Sequence, residues 1–288
     1  MSLIPHWKAP SGNWGFDETA TPRWFMIGHR ASKAMLLDFA AGKVVKSVNR
    51  HIADVQEDSP EGQSRFFMIK GKSPGRTRIE VRDGRTNALE AVLEVEVKRK
   101  QQLKISFHFV EDKKGTRTIQ SYSITEDLIE GLNNIYESQT NLTFELGSIN
   151  DLKLDIGLID FVIEGRDPKS KTMTGEARLG PKDVWNKVFA AKSDKSADFN
   201  VFFVPTDPAL TTNETLVFTD WTNCVMEDGR QLPIYTLAHA VGRMLGCPIT
   251  SNPNKMNQLM FWDPGIGANF FGRSDDFIPR DCVRIMNP

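Results

Sequence analysis

A chain of 288 residues with 40% hydrophobic and 25% charged side chains has a globular composition, and its length points to two domains rather than one core. Thirty-six basic residues against 37 acidic ones leave a formal net charge of -1. That balance gives nucleic acid or an anionic membrane no electrostatic reason to bind, so no nucleic-acid partner is expected. No apolar run approaches the roughly 20 residues of a transmembrane helix, so no transmembrane segment is expected. The opening residues, MSLIPHWKAPSGNWGF, lack the apolar core and cleavage site of a conventional signal peptide. Secretion without such a leader and residence in the cytoplasm both stay open. The three cysteines, Cys224, Cys247 and Cys282, are too few for a disulfide framework. One staple joining Cys282 to Cys224 or Cys247, or buried reduced thiols throughout, are the two readings.

Residues 1–100 read as a β domain. Residues 34–39 and 43–48 (KVVKSV) are strand candidates separated by Gly42, and 65–70 (RFFMIK), 76–82 (RTRIEVR) and 88–98 follow. Turn signals stand at 71–75 and at Asp83-Gly84. The last run alternates, with Leu89, Val92, Val95 and Val97 set between charged residues, as a half-buried strand does. Short strands without a convincing helix indicate a sandwich. Lys98-Arg99-Lys100 reads as a solvated connection after the last strand. The segment 75–97 resembles the final hairpin of bacterial immunoglobulin-like domains, without the cysteine pair of antibody domains.

Residues 101–288 change character. A strand at 103–110 (LKISFHFV) precedes a helix at 124–138 with Ile124, Leu128, Leu132 and Ile135 on one face. Strand-like runs at 142–146 and 157–163 lead to a short helix at 181–191, whose apolar face is Val184, Val188 and Phe189. The continuous apolar run 199–204 (FNVFFV) suits a buried central strand. Short strands at 216–218 and 224–226, a helix at 232–245 stopped by Gly246, and a closing helix at 279–286 complete the expectation of an α/β (α+β) domain.

The helix carries Thr236-Leu-Ala-His-Ala-Val-Gly-Arg-Met-Leu-Gly246, and a polar loop ending in Asn257-Gln258-Leu259-Met260 follows. This stretch resembles the active-site helix and Met-turn of metzincin-type zinc peptidases, H-E-x-x-H-x-x-G-x-x-H and a methionine. In that pattern two histidines four apart bind one zinc and the glutamate takes a proton from metal-bound water. The resemblance covers roughly 103–288. It places His239 at the first ligand position, Gly246 at the turning residue and Met260 at the turn's floor. The general-base position holds Ala240, which cannot titrate. The second ligand position holds Arg243, a permanent cation, and the third holds Ile249 beside Thr250 and Ser251. Two of three histidine ligands and the general base are thus missing.

No other set of residues repairs the site. His6, His29 and His51 belong to the first domain, and His108 lies on the strand that opens the second. Cys224, Cys247, Glu227 and Asp228 have no ligand spacing, and the acid pairs Glu227-Asp228 and Asp275-Asp276 read as solvated loops. The resemblance therefore implies a zincin-like domain without a cofactor, zinc entering only if the family's chemistry survives. It implies a pseudopeptidase that binds a protein or peptide in its cleft by strand addition, with Arg243 anchoring a carboxylate or paired internally. Pairing with an immunoglobulin-like module also resembles secreted bacterial effectors. Two other readings stay open: a zinc endopeptidase disarmed at Ala240, and an adhesion or structural module.

Overall fold

The computed structural model describes residues 4–10, 15–61, 64–115, 124–155, 164–166, 173–178, 182–205, 217–219, 221–228, 234–248 and 278–288. The chain divides into two compact units, one comprising Met1–Gln101, Ile135–Thr143 and Phe277–Pro288, the other Gln102–Asn134 and Phe144–Asp276. The last residues of the chain thus belong to the first unit.

The first unit contains β1 (His6–Lys8), β2 (Phe16–Asp17), β3 (Arg23–Gly28), β4 (Ser32–Asp38), β5 (Lys43–Ser47), β6 (Ala53–Glu61), β7 (Ser64–Gly71), β8 (Gly75–Asp83) and β9 (Leu89–Lys98). They form a four-stranded sheet, β1-β4-β7-β6, and a five-stranded sheet, β2-β3-β9-β8-β5. The β3–β9 pair is parallel, whereas β8 pairs antiparallel with both β9 and β5. Strand periodicity sends alternate residues to one shared core: Met35, Leu37, Phe67 and Ile69 from the first sheet meet Phe25, Ile27, Ile79, Val81, Leu93, Val95 and Val97 from the second. The opposite face of β9 carries Glu94, Glu96 and Lys98, next to Trp24 and Met26 of β3. Trp24, Met26, Glu96 and Lys98 are nevertheless buried.

The second unit contains β10 (Gln101–Glu111), α1 (Ile124–Thr140), β11 (Leu142–Lys153), β12 (Glu164–Arg166), β13 (Met173–Arg178), α2 (Lys182–Lys192), β14 (Phe199–Pro205), β15 (Val217–Thr219), β16 (Asn223–Asp228) and α3 (Ile234–Met244), the ends of β10, α1 and β11 falling in the first unit. Its five-stranded sheet runs β11-β10-β14-β16-β15, with β10, β14 and β16 parallel and β15 antiparallel at the edge. The run 199–204 is fully interior, and Phe202 and Phe203 are inaccessible. One face of this sheet packs Val110, Phe202, Val204 and Val225 against Val188 and Phe189 of α2. The expected strand at 157–163 and the expected Met-turn lie outside the described residues, as does Val184's side chain. A last helix, α4 (Arg280–Met286), closes the chain.

This corrects the expected fold class, an immunoglobulin-like sandwich joined to an α/β zincin-like domain. The described residues hold sixteen strands against four helices, the chain is mostly β in several sheets, and no zincin-like α/β domain stands clear in the second unit. No helix among the described residues is long and apolar enough to cross a membrane.

Candidate functional site

The motif helix α3 forms where the apolar periodicity places it, and its end is set by Gly246. That residue has φ +89, and the bonds from Gly246 N–H to Arg243 C=O and from Cys247 N–H to Gly242 C=O make a Schellman stop. His239, Ala240 and Val241 are buried, whereas Arg243 is exposed on the solvent side of the helix. Ile249, Met260 and Asp275-Asp276 lie outside the described residues, as do the side chains of Glu227 and Asp228. Cys224 is buried and outside any disulfide, while Cys247 and Cys282 are disulfide-bonded. Among the described residues no group of three His, Cys, Asp or Glu side chains could hold a metal ion.

The structure gathers polar chemistry elsewhere, in two places. In the second unit, Ser106 and His108 share one face of β10 with Ser148 and Asn150 of β11 and Asn200 of β14. His108 Nε2–H donates to Asn200 Oδ1 at 2.9 Å, and Asn150 Nδ2 donates to Nδ1 at 3.3 Å, which fixes a neutral imidazole. The ring stacks on Phe202 at 4.3 Å between centroids. Burial pushes the His108 pKa below its ordinary value, against the opposing Asn200 hydrogen bond and Asp194 charge. Asp194 accepts hydrogen bonds from Ser196, Ser106 and Ser148, and these hold its carboxyl well below the usual range.

In the first unit, Glu96 is the centre of an ion cluster on the covered face of the five-stranded sheet. It accepts from Lys98 at 2.9 Å, Arg284 at 2.8 Å and the Trp24 indole at 3.1 Å, and Arg76 lies 3.3 Å away at the exposed rim. Arg284 also bonds Glu94 at 3.0 Å, Asp17 caps the first N–H of α4, and Lys98 donates to the Asn287 carbonyl. Burial alone raises the Glu96 pKa, but the hydrogen bonds and charges of Lys98 and Arg284 outweigh it and hold it at about 2. Lys98 is thus no solvated connection: it is buried, unlike Arg99 and Lys100. The first unit covers this face with its own C-terminal helix.

An open depression lined by Glu126, Ile129, Glu130, Asn133, Asn134 and Leu146 lies along α1 and β11. None of the residues expected to form the site contributes to it.

No protein-family model matches this chain, and no curated protein matches it. Among solved structures it is similar to parts of the surface layer protein SbsC. Against domains 1-6 the identity is 15% and the TM-score 0.24, covering 27% of this chain and 12% of that one. Against domains 4 and 5 the values are 16% and 0.22, covering 25% and 45%, and against domains 5-6 they are 14% and 0.23, covering 27% and 40%. The chain therefore spans less than half the length of each of these structures. Among the described residues no group of ligands gathers that could hold a metal, which corrects the resemblance to metzincin-type zinc peptidases and the zinc and hydrolase readings drawn from it.

Proposed function

We propose that this protein is a structural or adhesion module that acts by binding other proteins. The observation that carries the reading is the use to which its reactive side chains are put. Lys98 and Arg284 both bond Glu96 beneath α4, Ser106 and Ser148 both donate to Asp194, and His108 is held between Asn200 and Asn150. Side chains that another fold would turn toward a substrate here fix strands and a helix in place, which suits a load-bearing or recognition surface. The disulfide-bonded Cys247 and Cys282 add support for a place outside the reducing cytoplasm, where such bonds persist.

The test uses the full chain immobilised on a sensor and exposed to fractionated cell-envelope proteins, beside a fluorogenic casein assay. Saturable capture with no casein turnover is the expected result. Turnover that co-purifies with the chain and is abolished by a chelator would overturn the proposal.

A further inference from the structure

Edge strand β5 pairs with β8 on one side, and the register fixes what the other side offers. Val48 N–H bonds Arg78 C=O, so Lys46 and Val44, two and four residues back, are the residues that face β8 with their backbone groups. Val45 and Ser47 therefore direct N–H and C=O away from β8, and neither has a backbone partner among the described residues. Val44 at 40% and Val48 at 62% exposure, two of the six exposed large hydrophobic residues among those described, stand at this edge, and a third, Leu89 at 51%, lies two strands inward on β9. Val44 and Leu89 both lie across from Arg82, in one row of the sheet face.

Charge decides the partner. Lys46 and Arg78 are exposed on the same face, and the carboxylates opposite them are taken: Glu80 by Arg82 at 2.8 Å, Glu94 by Arg284 at 3.0 Å. The face has two cations without a carboxylate partner among the described residues, set between valines. A lysine on an edge strand discourages pairing with neutral or basic strands, and it favours an acidic one. We infer that β5 is a docking edge that accepts an extended segment of a partner protein, one alternating acidic with branched apolar residues, as a sixth strand. This inference rests on the binding role proposed above and names its site.

The probe is a fluorescein-labelled eight-residue peptide alternating valine and glutamate, titrated against the full chain, with its valine–lysine counterpart as control. Saturable anisotropy change is expected for the glutamate peptide, together with slowed amide exchange in segment 43–48. The double variant Lys46→Glu/Arg78→Glu, both changes at exposed positions, is expected to weaken binding at least tenfold, and Ser47→Pro to remove the protection. Equal binding of the lysine peptide, binding without protection at 43–48, or no saturation at millimolar peptide would each overturn the docking edge. Protection that grows with protein concentration alone would also overturn it, making a second copy the occupant. Envelope capture that persists unchanged in the double variant would overturn this edge while leaving the binding role standing.

Discussion

The two units bury polar groups by opposite means. The first buries full charges and closes them with ion pairs around Glu96; the second buries a neutral imidazole and satisfies it with amides and hydroxyls around His108. Desolvated charges gain strongly from one another but leave a large penalty when one is removed, whereas neutral groups in a network share the loss. The units should therefore fail differently when one member is cut out. The largest effect is expected for Glu96→Ala. This change strands Lys98, itself only 7% exposed in its side chain, without its carboxylate and frees Arg284 from half its grip. A loss of about 3–5 kcal/mol is expected, read as a lowered urea midpoint with Trp24 as a local fluorescent reporter. A loss no greater than that of an exposed surface substitution would remove the contrast between the units.

His108→Leu should cost less, about 1–3 kcal/mol, because Asn200 Oδ1 retains the Asp194 N–H at 2.7 Å and leucine keeps contact with Phe202. Acid separates the units further. The folded pKa of His108 is depressed below 6.5, so its contribution is whole above that value and is lost as pH falls through the folded pKa. Glu96 is held at about 2 against an ordinary 4.5, so its contribution is whole above about 4.5 and fades toward 2. Urea midpoints of the wild type should begin to fall just below pH 6.5, and those of the His108→Leu variant should fall less steeply there. A variant with the wild type's slope in that window would show that His108 is not the group responsible.

How far the sequence could foresee this follows from particular residues. In the β9 run the apolar positions reveal a strand, but Glu94, Glu96 and Lys98 read as its solvent face. Nothing local says otherwise, because the cover, Arg284, comes 188 residues later. The alternation holds at Val95 and Val97 but slips before them: Leu93 rather than Val92 faces the core, and an irregularity opposite Leu89 puts Leu89 in solvent. The run 199–204 was legible because a strand buried on both faces needs no partner to be recognised. The Gly246 stop was legible because a helix end is a local event. The metzincin resemblance misled because one buried histidine on an apolar helix stopped by a glycine is also what an ordinary core helix carries. The His108 network was likewise out of reach, since it needs the pairing order of β11, β10 and β14 before its members meet.

The smallest expected effect lies inside the first unit and sharpens the contrast. Arg76 reaches Glu96 at 3.3 Å, scarcely farther than Lys98, yet its side chain is 59% exposed. A long side chain in water loses rotamer freedom to hold one geometry, and solvent screens its charge, so such pairs add little. Arg76→Gln should therefore shift the urea midpoint by no more than about 0.5 kcal/mol, although it deletes an ion pair to the same carboxylate whose loss is the largest effect expected. Addition of salt should shrink even that difference, since the exposed pair is the screened one. A shift comparable to that of Glu96→Ala would mean that the cluster is held from its rim. The charge balance beneath α4 would then rest on Arg76 as much as on Lys98 and Arg284.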